Sequence, residues 1–158
     1  NEFFRNKDLS YVALRYFNVF GPRQRADSAY AAVIPIFISR ALDDKSLTLY
    51  GDGRQTRDFI YVKDVARANL RAAQAKQSGI YNVGSGLPKC IVDLADQVCT
   101  LLGRPEKHGF APHRPGDLLS STAAIGRIQQ DLGWQPEFTF EEGLQQTIEW
   151  WKSADKKV

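Results

Sequence analysis

The segment Leu47–Asp64 reads LTLYGDGRQTRDFIYVKD and places two glycines and two arginines between two apolar runs. Residues Leu47 to Tyr50 predict a strand, and the alanine-rich run from Asp64 to Lys76 predicts a helix. The loop between them has no phosphate-loop lysine and no repeated glycine spacing of the dinucleotide-binding kind. Its composition still suits an anion, because glycine permits close backbone approach and arginine matches phosphate oxygens.

Apolar runs of strand length alternate with runs of helical periodicity on both sides of this segment. Strands are predicted at Tyr11–Phe20 and Ile80–Val83, the first apolar enough to be covered on both faces of a parallel sheet. Helices are predicted where apolar residues recur at helical spacing, over Val33–Leu42 and Ile91–Leu102. Alternation of this kind predicts an α/β fold with parallel strand pairing.

Polar residues near the predicted helix starts indicate capping. Thr139 followed by Glu142 has the spacing of a capping box for a last helix. Asp58 and Asp64 also precede or open a predicted helix, where a carboxylate usually serves as a cap.

Composition indicates one globular domain with its own core. The chain has 158 residues, of which 43% are hydrophobic and 11% aromatic, with a formal net charge of +3. This slight excess of positive charge favours an anionic ligand, but the sequence lacks the dense basic runs of a nucleic-acid-binding protein. Cys90 and Cys99 are its two cysteines, and no segment has the pattern of a membrane span or signal peptide. We therefore expect a cytoplasmic protein with free thiols and neither a nucleic-acid nor a membrane partner.

Metal-dependent and nucleophilic catalysis find little support in the sequence. His108 and His113 are five residues apart in a proline-rich loop, with no third histidine or cysteine near them. No serine lies in a G-x-S-x-G elbow, and no cysteine is paired with a histidine in sequence.

Two clusters combine glycine with arginine. Arg54 and Arg57 follow Gly51 and Gly53, and His113–Asp117 reads HRPGD. Because a guanidinium group binds phosphate oxygens in a bidentate manner, two such clusters could clamp a diphosphate. Two turns carrying solvated arginines are the alternative interpretation.

Motifs along nearly the whole chain, in order, carry a family resemblance: LRYFNVFGPRQ, YAAVIP, YGDGRQTRDFIYVKDVARANL, YNVGSG, RPGD and LGWQPEFTFEEGL. They resemble the C-terminal, substrate-binding half of an extended short-chain dehydrogenase/reductase of the NAD-dependent epimerase/dehydratase family. UDP-glucose and UDP-N-acetylglucosamine 4-epimerases are the most similar members. The resemblance implies an α/β fold made of the last Rossmann strands plus a small α/β substrate domain, with the N-terminal Rossmann core absent.

The resemblance also implies how the chain is divided. Residues 1–158 would form a single partial domain, in which 9–21 are a Rossmann-type strand and the following turn. Residues 22–158 would form the nucleotide-sugar-binding region, with the strand 80–83 returning to the Rossmann sheet.

Residues around the sugar and the nicotinamide follow from the same resemblance. Asn18 of RYFN would reach the nucleotide-sugar, and Phe17 would pack near the nicotinamide. Ala32 and Ser121 would border the sugar, where small side chains leave room for an N-acetyl group beside C2.

Residues around the nucleotide are implied in the same way. Arg57 of TRDF and Arg114 of RPGD match the arginines that clamp the diphosphate. Asp117 matches the carboxylate that binds ribose hydroxyls, and Thr48 and Tyr50 fall where a strand edge lines the uracil. The predicted ligand is a UDP-sugar.

Two features of such enzymes do not occur in this sequence: the glycine-rich NAD turn and the Y-x-x-x-K pair that performs the hydride chemistry. Tyr11 and Tyr50 are followed four residues later by Arg15 and Arg54, and no tyrosine has lysine there. We therefore expect NAD in the complete enzyme, on polypeptide upstream, but no tight NAD binding and no activity in this chain alone. We also expect it to form a homo-oligomer or to associate with a missing Rossmann half.

Other interpretations stay open. The chain could be the corresponding half of a nucleotide-sugar dehydratase or a UDP-glucuronate decarboxylase, and residues beside the missing tyrosine would decide. It could also be a naturally truncated, non-catalytic chain that assembles with itself. Two departures from the family pattern, Lys89 with Cys90 and the run Ser121–Ala124, suit either an active enzyme or relaxed constraint.

Overall fold

The computed structural model describes residues 11–27 and 32–154. Within these ranges strands and helices alternate as the sequence predicts. In chain order they are β1 (Val12–Tyr16), β2 (Asn18–Phe20), α1 (Val33–Leu42), β3 (Leu47–Tyr50), β4 (Thr56–Tyr61), α2 (Val62–Ala73), β5 (Gly79–Val83), β6 (Pro88–Cys90), α3 (Ile91–Leu102), β7 (His108–Ala111), α4 (Gly126–Leu132) and α5 (Phe140–Ala154).

The predicted strand from Tyr11 to Phe20 is wrong as a single element, because the chain changes sheets at Phe17. β1 pairs with β5, whereas β2 pairs with β4. At the break, the Phe17 N–H donates to the Val83 carbonyl (2.9 Å), and the Val19 N–H donates to the Phe17 carbonyl (2.9 Å). The prediction of cover on both faces fails as well, since Ala13, Arg15 and Tyr16 of β1 are exposed.

The strands of the described ranges form three small sheets. β1 and β5 form a parallel pair, β3 and β7 form another, and β4 lies between parallel β2 and antiparallel β6. The carboxyl ends of β3 and β7 meet at the pair Tyr50 and Ala111. This register brings the turn after β3 beside the loop after β7.

In the part of the chain that the structure describes, two apolar cores join these sheets to the helices. The larger lies between α1, β3, β4, α3 and α5, and includes Phe37, Leu49, Phe59, Leu94 and Leu144. The smaller lies among β5, α2 and α4, and includes Val65, Tyr81, Val83, Ile128 and Trp134. Burial of these apolar side chains is the main stabilising contribution to the fold.

The capping box is confirmed, but the two aspartates are not ordinary helix caps. The Glu142 N–H donates to Thr139 Oγ1 (3.2 Å), and the Thr139 N–H donates back to Glu142 Oε2 (2.8 Å). The buried Asp64 carboxylate accepts from the N–H groups of Glu137 (2.9 Å) and Phe138 (3.2 Å). The carboxylate therefore ties the first turn of α2 to the segment before α5. It also gives a partner to two backbone N–H groups that lie outside any helix or strand.

Neither cysteine forms a disulfide. Cys90 is half-buried and Cys99 is buried. Burial raises the pKa of the Cys99 thiol, so this group is protonated near neutral pH. Among the helices in the described ranges, none is long and apolar enough to cross a membrane.

Candidate functional site

A cavity of about 340 Å³ opens between β2, the start of α1, β3, β4 and the loop after β7. Apolar side chains form much of its wall, and polar side chains converge on it from strands, from α1 and from the loops after β3 and β7. The sequence-predicted residues that line it are Asn18, Ala32, Thr48, Tyr50, Arg57, Arg114 and Asp117. Residues that are up to 99 positions apart in sequence therefore share one concave surface, as ligand-binding sites require.

Arg57 joins β4 to the loop of residues 112–120, which we call the 112–120 loop. Its guanidinium forms an ion pair with Asp117 and donates to the carbonyls of Leu118 (2.7 Å) and Thr56 (2.7 Å). The Thr56 N–H adds a bond to the Leu119 carbonyl (2.9 Å). Because a guanidinium carries five N–H groups, Nε and one Nη2 hydrogen remain for a ligand. The Arg57 side chain is 17% exposed, so these bonds are partly shielded from water.

Arg114 reaches the same cavity in a different way. Its guanidinium carbon lies 3.8 Å from the centroid of the Tyr50 ring, which is a close cation–π contact. Within the described ranges its side chain has no hydrogen bond and no ion pair. All five of its N–H groups are therefore free for an anion.

The composition of the glycine turn suggested close approach of a ligand. In the structure, the turn has a packing role instead. A side chain at Gly51, where φ is +64°, would meet the His113 imidazole at 2.0 Å. The Gly51 N–H also donates to the Ala111 carbonyl (2.8 Å). Glycine is required here because the turn packs against the 112–120 loop, which brings the two glycine-arginine clusters together.

Asn18 lies at the edge of the cavity with a fixed side chain. Its amide donates through Nδ2 to the Asp58 carbonyl (2.9 Å), so its Oδ1 acceptor remains. Phe17 and Ser121 are half-buried and are not among the residues that line the cavity. Their roles beside the nicotinamide and the sugar stay predictions.

Two polar residues in the cavity were missed by the sequence interpretation. Arg40, near the end of α1, donates through Nε to the Ser46 carbonyl (2.7 Å), and Gln55 donates through Nε2 to the Tyr50 carbonyl (3.2 Å). Arg40 could have been found, because it follows Val33, Ile36 and Phe37 at helical spacing and all four line the cavity. Gln55 has no comparable signal.

Asp58 supports the site from behind. Its buried carboxylate accepts from the N–H (2.6 Å) and Oγ (2.8 Å) of Ser85, and from the N–H groups of Gly86 (2.9 Å) and Ala123 (2.9 Å). These bonds occupy the Ser85 and Gly86 N–H groups of the turn after β5, so these two donors are not available to a phosphate group.

Each histidine contacts another segment of the chain. His108 Nε2 lies 3.1 Å from a carboxylate oxygen of Asp96, while His113 covers Gly51. In the part of the chain that the structure describes, no group of three histidine, cysteine, aspartate or glutamate side chains is arranged to hold a metal ion.

Comparison with known proteins assigns the chain to a family. Residues 2–84 match the NAD dependent epimerase/dehydratase family. The chain belongs to this family. Its fold is accordingly the α/β, Rossmann-like fold of the family's extended short-chain dehydrogenase/reductases, of which it matches about half.

Members of the family with known structures superpose closely. UDP-glucose 4-epimerase of Thermotoga maritima, solved with UDP-glucose, is 35% identical with a TM-score of 0.92, over 97% of this chain and 49% of that one. UDP-N-acetylglucosamine 4-epimerase of Methanobrevibacter ruminantium, solved with UDP-N-acetylmuramic acid, is 44% identical with a TM-score of 0.91, also over 97% of this chain and 49% of that one.

Family members that catalyse other reactions are similar too. UDP-N-acetyl-alpha-D-glucosaminuronate decarboxylase of Bacillus cytotoxicus is 35% identical over 93% of this chain and 48% of its own length. A dTDP-glucose 4,6-dehydratase of Haemophilus influenzae is a second relative of this kind. A UDP-glucose 4-epimerase of Thermus thermophilus, solved with NAD, is similar as well. The chain thus spans about half the length of these nucleotide-sugar epimerases, dehydratases and decarboxylases.

Proposed function

We propose that this chain is the nucleotide-sugar-binding half of an NAD-dependent 4-epimerase that acts on UDP-hexoses or UDP-N-acetylhexosamines. The observation that carries the proposal is the cavity, where Arg57, Arg114 and Asp117 converge with Asn18 around about 340 Å³. Two guanidinium groups beside one carboxylate leave a positive balance, which suits a diphosphate. In this proposal residues 22–158 form the nucleotide-sugar region, and 9–21 with strand 80–83 belong to a Rossmann sheet.

We expect no tight binding of NAD by this chain alone. The Ser85 and Gly86 N–H groups, which could hold a pyrophosphate, are already bound to Asp58. The sequence also has no tyrosine followed four residues later by lysine. In this proposal the chain binds the substrate and performs no hydride step.

Substrate binding by this half has a clear physical purpose in epimerisation. The sugar must turn over during the reaction, so its own contacts have to be loose. Binding free energy then has to come from the nucleotide and the diphosphate, which do not react. Arg57 and Arg114 would hold the diphosphate, Asp117 the ribose, and Thr48 with Tyr50 the uracil.

UDP titration tests the proposal. Arg57→Ala or Arg114→Ala should remove a charge-assisted hydrogen bond of about 1.5–3 kcal/mol, which weakens UDP binding roughly tenfold to a hundredfold. Arg54→Ala is the matched control, since this exposed arginine lies three residues before Arg57, in the turn between β3 and β4, carries the same charge and does not line the cavity. Equal losses for all three variants, or none, would refute the clamp.

A turnover assay tests the expectation that this chain is inactive alone. The purified chain, given NAD and either UDP-glucose or UDP-N-acetylglucosamine, should form no 4-epimer, because the tyrosine-lysine pair is missing from its sequence. NAD should bind only weakly. Detectable epimerisation by this chain would contradict the expectation, whereas UDP binding without turnover would agree with it.

The similarity to a decarboxylase supports a second candidate reaction. That relative acts on a sugar with a carboxylate, and it is as similar to this chain as the Thermotoga maritima epimerase. A decarboxylase half should bind UDP-glucuronate more tightly than UDP-glucose, because only the former offers a carboxylate to the site. Equal affinities would favour the epimerase.

A further inference from the structure

Arg40 lines the cavity as a third arginine beside Arg57 and Arg114. It lies near the end of α1 and is half-buried. Its Nε donates to the Ser46 carbonyl (2.7 Å), which fixes the guanidinium beside the beginning of β3. Both Nη groups remain, and within the described ranges they have no hydrogen bond and no ion pair.

An arginine in this setting favours a ligand group that accepts hydrogen bonds. A guanidinium group carries donors and no acceptor, and partial burial removes some of the water that would otherwise pair with it. Arg57 differs, because Asp117 supplies it with a carboxylate. Among the described residues no carboxylate competes with a ligand for Arg40, so its Nη donors are available in the cavity.

Two elements place Arg40 at the end of the cavity away from the diphosphate. Along β3, Ser46 precedes Tyr50 by four residues, or about 13 Å, and the Arg114 guanidinium lies on the Tyr50 ring. Along α1, Ala32 precedes Arg40 by eight residues, or about 12 Å. Arg40 is therefore remote both from the diphosphate at Arg114 and from the sugar at Ala32. The remaining part of a nucleotide-sugar is its base.

We propose that Arg40 is a specificity-determining residue, whose Nη groups donate to the carbonyl oxygen at C4 of uracil and so select against cytosine. The inference rests on the proposed function, and it adds a choice of base to the contacts of Thr48 and Tyr50. Uracil and thymine carry an acceptor oxygen at C4, whereas cytosine carries an amino group, which is a donor. In CDP this amino group would meet the donors of Arg40, and neither side would have an acceptor.

Parallel titrations with UDP and CDP test the proposal, because the two ligands carry the same ribose and diphosphate and differ in the base alone. The wild-type chain should bind UDP about tenfold to a hundredfold more tightly than CDP. Arg40→Met keeps a long unbranched side chain on the helix but removes the donors. It should weaken UDP binding and leave CDP binding unchanged or stronger, so that the two affinities become nearly equal. A preference for UDP that survives Arg40→Met would overturn the proposal.

Arg104→Met controls for a purely structural role. Arg104 donates to the Leu42 carbonyl (3.3 Å) and forms an ion pair with Asp44, so it also holds the end of α1, but it does not line the cavity. Its replacement should leave the ratio of UDP to CDP affinity unchanged, and melting curves of each variant check that the fold is retained. An equal fall of the ratio in both variants would show that Arg40 only holds the helix end, and would overturn the proposal.

The wild-type chain separates this inference from the proposed function. Equal binding of UDP and CDP would overturn the role of Arg40 and leave the proposed nucleotide-sugar site standing. Binding of neither ligand is a different result, which would refute the proposed function itself and the role of Arg40 with it.

Discussion

Asp58 stabilises the site although its side chain never enters the cavity. It lies on β4 between Arg57 and Phe59, which both line the cavity, and strand alternation turns its carboxylate to the opposite face. There it holds the turn Ser85–Gly86 and the Ala123 N–H, while its own carbonyl holds the Asn18 amide. One fully buried residue therefore connects β4 to β2, to the turn after β5 and to the segment around Ala123.

Replacing this carboxylate should destabilise the fold. Asp58→Asn keeps one acceptor oxygen but puts an NH2 group against backbone N–H donors, so at least one buried donor loses its partner. Such a loss costs about 1–3 kcal/mol, and at about 2–4 °C per kcal/mol the melting temperature should fall by several degrees. Asp52→Asn, at an exposed aspartate in the turn after β3, is the control and should melt like the wild type. Identical melting curves would show that the carboxylate network contributes nothing.

Ser121 raises the question of which sugar is accepted. The hydrogen bond that the Ala123 N–H donates to the Asp58 carboxylate fixes the chain two residues after Ser121, and Ser121 itself is half-buried. With Ala32 as a second small residue, the family resemblance predicts space beside C2 of the sugar. A complete enzyme with this half should therefore accept UDP-N-acetylhexosamines at least as well as UDP-hexoses.

The test of this prediction is Ser121→Tyr in this half joined to a matching Rossmann half. The bulky ring should lower kcat/KM for acetylated substrates selectively, by steric exclusion. Thr122→Tyr, at the exposed neighbouring position, is the control for adding a ring to this segment. If Ser121→Tyr lowers kcat/KM equally for both substrate classes, the residue is structural and does not select the sugar.

At the scale of elements, patterns that depend on local sequence were predicted well. The strand Leu47–Tyr50 and the helix Ile91–Leu102 have the predicted bounds, because a turn or a glycine follows each of them. The break at Phe17 was missed because it depends on the choice of partner strand, which the residues of Tyr11–Phe20 do not encode. Gly51 was misread for the same reason, because its neighbour His113 lies 62 positions away.

The residues of the candidate site could be found from local sequence, whereas their contacts depend on the tertiary structure. Arg57 and Arg114 were found through glycine-arginine clusters and the family motifs around them. Their separate settings, one in a hydrogen-bonded ion pair and one on an aromatic ring, arise only when β3, β4 and β7 are assembled. No spacing rule in the sequence distinguishes them.

The capping box before α5 gives a prediction about a single element. Thr139→Ala removes the hydroxyl that accepts the Glu142 N–H, so a helix-terminal donor loses its partner. Loss of such a cap costs about 1 kcal/mol. Urea unfolding should show this change as a shift of the midpoint at constant slope. Thr100→Ala, at an exposed threonine within α3, is the control.

The same box predicts a dependence on pH. Hydrogen bonds from the Thr139 N–H and then its hydroxyl hold the pKa of Glu142 below its ordinary value. A carboxyl with a lowered folded pKa stabilises the fold above its unfolded pKa, and this contribution is lost as pH falls through the folded pKa. Glu142→Gln should therefore be less stable than the wild type at neutral pH, with a difference that shrinks below about pH 4. Glu149→Gln, an exposed glutamate of the same helix, is the control. A difference that stays constant down to acidic pH would contradict the role of the ionised carboxylate.

At the scale of the whole molecule, the pair β1 and β5 differs from an ordinary parallel sheet. Such sheets are normally covered on both faces and extended by further strands. Here Tyr16 is 48% exposed and Leu70, on the adjacent helix α2, is 65% exposed. Within the described ranges β1 has β5 as its only strand partner. The exposed apolar side chains and the open strand edge favour association with another chain.

Self-association through β1 is therefore the prediction at this scale. The Phe17 N–H donates to the Val83 carbonyl of β5, and the Tyr11 carbonyl accepts from the Gly79 N–H. By alternation, the backbone groups of Val12, Leu14 and Tyr16 point to the opposite edge of β1. We expect a dimer or larger assembly in sedimentation at high concentration.

Ala13→Lys puts a charge on an exposed position of β1 and should shift the chain toward monomer, because lysine on an edge strand opposes pairing. Ala73→Lys, exposed at the end of α2, carries the same charge away from the edge and should leave the assembly intact. A clean wild-type monomer, or equal dissociation of both variants, would show that the edge of β1 does not recruit a second chain.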